Sequence, residues 1–181
     1  MKPVINLHSG KWINLIDTNI DDITIHDIAR GLANKGHYGG HTPKYFSIAE
    51  HSILVSYITG NLQGLLHDGS EAYIGDMLYP IKDLVPDFVL IEDNLMMKIM
   101  NKFNLKYNYE DVKSADTLIK GYEWINFFDS DCPFISTTEI LSAKEIYKLP
   151  SIKYYSPEMA RLAFIDRYYE LRNKNGNNKN L

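Results

Sequence analysis

Cysteine is almost missing from this chain. Cys132 is the single thiol among 181 residues, so no intramolecular disulfide can form and the fold cannot depend on oxidation, which suits a reducing cytosol. Long apolar runs are missing too: nothing approaches the roughly 18 uninterrupted apolar residues of a membrane span. The opening MKPVINLHSGKW has neither a long apolar core nor a small-residue cleavage pattern. Membrane insertion and secretion are therefore not expected, and a cytoplasmic location is. Positive charge is not in excess. Nineteen Lys and Arg face 23 Asp and Glu for a net charge of -4, which argues against broad binding to nucleic acid. Local basic groups can still hold a small phosphate ligand. There is no internal repeat and no linker long enough to divide the chain.

What is there is an ordinary globular composition, 45% hydrophobic and 23% charged, of a length that fits one domain with a substantial core. VINLHSGKWINLID reads as two short alternating runs around Ser9-Gly10, a β-hairpin. IHDIARGLANK carries Ile25, Ile28, Ala29, Leu32 and Ala33 at helical spacing. GHYGGHTPKYF, rich in glycine, predicts an irregular loop. Ser47 is placed to cap the next helix, IAEHSILVSYI, with Glu50 at capping-box spacing, and Gly60-Asn61 ends it. LQGLLHDGSEAYIG predicts one further helix despite its internal glycines. MLYPIKDLVPD is turn-rich, and helices are expected at about 87–103, 108–127 and 156–173 by the same periodicity. The expectation is a mostly α single domain over 1–175 with a small N-terminal β-hairpin, and a polar flexible tail over 176–181.

The residues that carry chemistry cluster on the two adjacent predicted helices, His51 on one and His67-Asp68 on the other, with Asp116 near the start of a later helix. Two imidazoles and two carboxylates suit Zn, Mn, Fe, Co or Ni and leave positions open for water or a phosphate oxygen. Glu71, at i+4 from His67, can overhang the same site. Leu65-Leu66 set these ionisable groups in apolar surroundings, where burial is costly unless they are paired or hold a metal. The competing reading is a buried His–Asp hydrogen bond that only ties two helices together.

The order His51, His67-Asp68, Asp116, with GGHTPKYFSIAEHSILVS and LLHDGSEAYIGDMLYPIK around it, resembles the HD-domain metal-dependent phosphohydrolases. The wording is similar to that of HD-type 5′-deoxynucleotidases and of phage dATP triphosphohydrolases, and the resemblance runs from about residue 5 to 125. It implies an HD-domain helical bundle and an enzyme in which His51, His67, Asp68 and Asp116 hold a divalent transition metal (Co, Zn or Mn, with Mg as an additional ion). Glu71 matches the glutamate that orients water or moves its proton. Asp76 matches an aspartate near the sugar or the metal-bound water, or it caps the turn before Pro80. Lys82 is a candidate phosphate contact, or a solvated lysine. His41 contacts phosphate or a second metal, or packs the loop.

One departure stands out. Where relatives carry an arginine followed by an aromatic residue, this chain has His37-Tyr38, which bears on sugar and phosphate recognition. Tyr38 is placed to stack on a base or pack on a deoxyribose; Trp12 and the other tyrosines are expected in the core or an interface. The implied reaction is hydrolysis of a deoxynucleotide, dATP to deoxynucleoside and triphosphate foremost, with a dNMP 5′-nucleotidase as the alternative. Guanosine tetraphosphate or cyclic nucleotide hydrolysis follows, then a non-catalytic nucleotide-binding HD fold. The cyclic-dinucleotide pattern is absent, since Gly121-Tyr122 is followed by Glu123. The resemblance also implies a small-molecule nucleotide as partner and a homo-oligomer, dimer or hexamer, in a bacterial or phage-infected cytosol.

Overall fold

The computed structural model describes residues 3–106 and 109–177. The chain is mostly helical, with a two-stranded antiparallel hairpin at its start. Strands β1 (Val4–Asn6) and β2 (Trp12–Asn14) pair Val4 with Asn14 and Asn6 with Trp12. Gly10, at φ 82°, supplies the left-handed turn residue between them. Ile13 points into the core, whereas Trp12 is 59% exposed, which excludes the core of the two places expected for it.

Helix α1 (Ile25–Ala33) begins at a Thr24 cap and lays Ile25, Ile28, Ala29, Leu32 and Ala33 against the interior, as their spacing predicts. Its Gly31 lies so close to the backbone of Ala72 that a methyl group there would collide with the Ala72 carbonyl oxygen. Helix α2 (Ile48–Thr59) is the central element. Every residue from Ile48 to Ser56 is buried, because one side packs into a core shared with α1 and the other into a second core shared with α7. Ser47 caps it as expected, and Gly60 ends it in the left-handed conformation. The capping box, however, is half made. Glu50 turns away and accepts the backbone N–H groups of Lys153, Tyr154 and Tyr155 instead.

The expected helix over LQGLLHDGSEAYIG is broken. It divides into α3 (Leu62–Leu66) and α4 (Glu71–Ile74), and between them the hydrogen bonds tighten to i→i−3, as in Gly69 N to Leu66 O and Glu71 N to Asp68 O, each 2.9 Å. This tighter turn brings side chains three apart over one another. Then follow α5 (Tyr79–Lys82), α6 (Pro86–Lys102), α7 (Tyr109–Phe127), α8 (Thr137–Ile146) and α9 (Pro157–Asn177). Helices α6, α7 and α9 fall where periodicity puts them, although residue 108 lies outside the described residues. Helix α8 is unanticipated. Its signal was present: Ser136 and Glu139 form a complete capping box before ILSAKEI. Helix α9 continues two residues into the expected tail, and 178–181 lie outside the described residues. Among the described residues no helix is long and apolar enough to cross a membrane.

The loop between α1 and α2 is pinned at its base. Gly36 bridges Ser47, and the His37 amide donates to the Phe46 carbonyl at 2.9 Å. Its tip runs through Tyr38, Gly39 and Gly40, all at positive φ.

Candidate metal centre

Three packed elements converge on one point. Helix α2 presents His51, the α3–α4 turn presents His67 and Asp68, and α7 presents Asp116; α2 packs on α3 and on α7. His51 Nε2 is 3.3 Å from His67 Nε2, 3.6 Å from Asp68 Oδ2 and 3.1 Å from Asp116 Oδ1. His67 Nε2 is 3.1 Å from Asp68 Oδ2 and 3.8 Å from Asp116 Oδ1. Ligands bound at about 2.0–2.2 Å to one ion lie about 3–3.5 Å apart, so these separations suit a shared cation.

The protonation of the rings points the same way. His67 Nδ1 lies 2.9 Å from the Gly64 carbonyl oxygen, which can only accept, so Nδ1 carries the proton and Nε2 bears a lone pair when the ring is neutral. His51 Nδ1 donates to Glu123 Oε1 at 2.8 Å, with the same consequence. Two lone pairs facing each other with two carboxylates beside them repel unless a proton or a metal cation lies among them. Asp116 Oδ1 is buried and accepts no well-formed hydrogen bond, although it sits beside both rings. His51, His67 and Asp68 can thus hold a metal ion, with Asp116 Oδ1 within reach of the same point.

The metal-free electrostatics follow from this crowding. Burial disfavours the charged His51 ring, but the Glu123 and Asp116 carboxylates outweigh it and carry its pKa up to about 9. Burial would raise the Asp68 and Asp116 carboxyls, yet the two imidazoles outweigh it and hold both well below the usual carboxylate range.

A cleft of about 660 Å³ opens beside this point, within the range of small-molecule sites. His37, Tyr38, Glu71, Asp76, Lys82 and Lys120 are among its lining residues. Glu71 is buried, with Oε2 unpartnered, and burial together with Asp68 and Asp76 pushes its pKa well above the usual value. Asp76 accepts from His37 Nδ1 at 3.0 Å and is no simple turn cap. His37 Nε2 is left buried without a partner. Lys82 lines the cleft, but its ammonium donates to both oxygens of Glu92 at 2.9 and 2.8 Å. His41 is exposed and is not among the lining residues.

Two α7 side chains went unnoticed in the sequence. Lys120 donates to Asp116 Oδ2 at 2.6 Å, and Glu123 is fully buried behind His51. Asp116, Lys120 and Glu123 are spaced i, i+4, i+7, a polar stripe on one helix face that the sequence did display. His37, His51 and Glu123 form a second buried group of potential ligands. Both Glu123 oxygens are already engaged, however, by His51 and by the Tyr38 hydroxyl at 2.6 Å.

No family model matches the chain. Uncharacterized protein YfdR of Escherichia coli strain K12 is 30% identical over 171 residues, which span 92% of this chain and 94% of that protein. This chain belongs to the YfdR family. Uncharacterized protein RCAP_rcc00048 of Rhodobacter capsulatus is 34% identical over 128 residues, covering 61% of this chain and 65% of that protein. Neither name states an activity.

Proposed function

We propose that this protein is an HD-type metal-dependent phosphohydrolase acting on deoxynucleotides, with dATP hydrolysed to deoxyadenosine and triphosphate as the first candidate reaction. The observation that carries the reading is the convergence of two imidazole Nε2 atoms and two carboxylate oxygens beside buried Glu71, at the wall of a nucleotide-sized cleft. The His51, His67-Asp68, Asp116 order that resembles HD phosphohydrolases is also the set that meets in space.

A divalent transition metal held by His51, His67, Asp68 and Asp116 would polarise a phosphoryl oxygen and acidify water. Glu71 stands where it can orient the attacking water and take its proton, and burial beside Asp68 and Asp76 raises its affinity for that proton. In the reaction, water oxygen forms a bond to the α-phosphorus, the bond to O5′ breaks, and the proton passes to the departing deoxynucleoside. Asp76 accepts from His37 Nδ1 and holds that ring at the cleft wall beside Tyr38. Lys120 and Lys82, each tethered to a carboxylate, place positive charge at the phosphate end. The same resemblance extends to a cytosolic homo-oligomer, dimer or hexamer.

The test is release of phosphate, pyrophosphate or triphosphate from a panel of dNTPs, dNMPs, guanosine tetraphosphate and cyclic nucleotides with Co²⁺, Mn²⁺ or Zn²⁺. Turnover of a deoxynucleotide is expected, and Asp68→Ala should lose both bound metal and activity. Tight nucleotide binding without turnover under any metal would sink the enzyme reading.

A further inference from the structure

Behind the metal-facing edge of His51 runs a short chain of buried hydrogen bonds that reaches the wall of the cleft. His51 Nδ1 donates to Glu123 Oε1 at 2.8 Å, and the Tyr38 hydroxyl donates to Glu123 Oε2 at 2.6 Å. Glu123 is fully buried and both its oxygens are used. A carboxylate is seldom placed there without strong partners, because burial of an unpaired charge is costly. The second contact comes from a residue with an uncommon backbone conformation. Tyr38 stands at φ 56°, a conformation non-glycine residues avoid, with Gly39 and Gly40 continuing the left-handed turn at φ 60° and 81°. Its ring is wedged against His37 at 4.2 Å and edge-on to Phe127 at 6.1 Å.

We propose that Glu123 and Tyr38 are positioning residues of the metal centre: Glu123 fixes the ring orientation and tautomer of His51, and Tyr38 fixes Glu123. The inference rests on the metal-centre reading above. An imidazole ligand whose other nitrogen donates to a carboxylate is locked in orientation and made a better donor to metal, and loss of such a partner costs metal affinity. The arrangement also assigns a use to Tyr38 other than stacking on a base, since its hydroxyl is spent on Glu123. Because Tyr38 lines the cleft, one residue connects the wall that meets the ligand with the imidazole that meets the metal.

The test uses the full chain stripped of metal by chelation and titrated with Co²⁺ alone, read by calorimetry and by the visible absorption of bound Co²⁺. Glu123→Ala is expected to weaken Co²⁺ binding about 10–100-fold and to change the absorption bands, which a loss of stability alone would not do. Glu123→Gln, whose carbonyl oxygen can still accept from His51, should recover most of the affinity. Tyr38→Phe removes one hydroxyl and should weaken binding about two- to tenfold. Should Glu123→Ala fail to fold, Tyr38→Phe and Glu123→Gln decide the matter. Unchanged affinity and spectrum in the folded variants would overturn the inference while leaving the metal centre standing. A wild type that binds no Co²⁺ would sink the metal reading and this inference with it. Two equivalents bound, one of them lost with Glu123, would make Glu123 a ligand of a second ion and overturn the positioning role.

Discussion

At the scale of single residues, Glu71 and Asp68 are divided by what they face. Asp68 looks onto His51 and His67, while Glu71, one tight turn on, has a buried oxygen with no partner. Glu71→Gln should therefore keep its metal and lose about 10²–10⁴-fold in kcat, with KM little changed; an equal loss of bound metal, measured by elemental analysis, would instead make Glu71 a ligand. His51 gives a pH prediction. Its pKa in the metal-free protein is raised from 6.5 to about 9, so the stabilisation from its ion pairs is complete below about pH 6.5 and fades as pH rises through about 9. Metal requires the neutral ring, so uptake at pH 7 should expel protons, and the apparent affinity should climb toward pH 9. Calorimetry in two buffers of different ionisation enthalpy measures this, and zero proton release would contradict it.

At the scale of elements, two departures from what the local sequence predicts shape the molecule around α2. The first is the tightened α3–α4 turn. It sets Glu71 three residues after Asp68 at 3₁₀ spacing, so the two carboxylates lie on one face of the turn, while His67 Nε2 and Asp68 Oδ2 come within 3.1 Å. The second is Glu50, which leaves its own helix N-terminus to gather three amides of the segment at 153–155. Burial raises the Glu50 carboxyl pKa against the lowering pull of those amides. Glu50→Ala would leave three part-buried backbone donors without their acceptor and is expected to cost about 3 kcal/mol, lowering Tm by roughly 6–12 °C. Glu50→Gln keeps an acceptor and should cost less than half as much. Equal melting temperatures for the Ala variant and the wild type would show that the contact does not hold the C-terminal segment to α2.

At the scale of the whole molecule, the centre ties together helices whose cores are otherwise separate. Ile48, Ala49 and Ile53 of α2 belong to one hydrophobic cluster and Leu54 and Val55 to the other, on the same helix as His51. An ion shared by α2, the α3–α4 turn and α7 would stitch both clusters at once. Saturation at 100 times Kd adds about 2.7 kcal/mol, so chelation should lower Tm by roughly 5–11 °C, reversibly on adding back Co²⁺. A melting curve indifferent to chelator would contradict a metal bound in the folded state.

Much of this was legible in the chain alone. Periodicity located α1, α2, α6, α7 and α9, Ser9-Gly10 located the hairpin, and the pairing of His67 with Asp68 behind Leu65-Leu66 marked candidate metal ligands, because these signals are local. Helix α8 was legible and overlooked, its capping box hidden among polar residues. Long-range partners were not legible. Nothing near Glu50 foretells the amides at 153–155, and nothing near Tyr38 foretells Glu123, 85 positions on. Residue types and spacing determined which groups could bind a metal. Only the packing of α2 against α3 and α7 decided that they meet, since a shared coordination point is set by where helices cross and by which buried charges can find partners there.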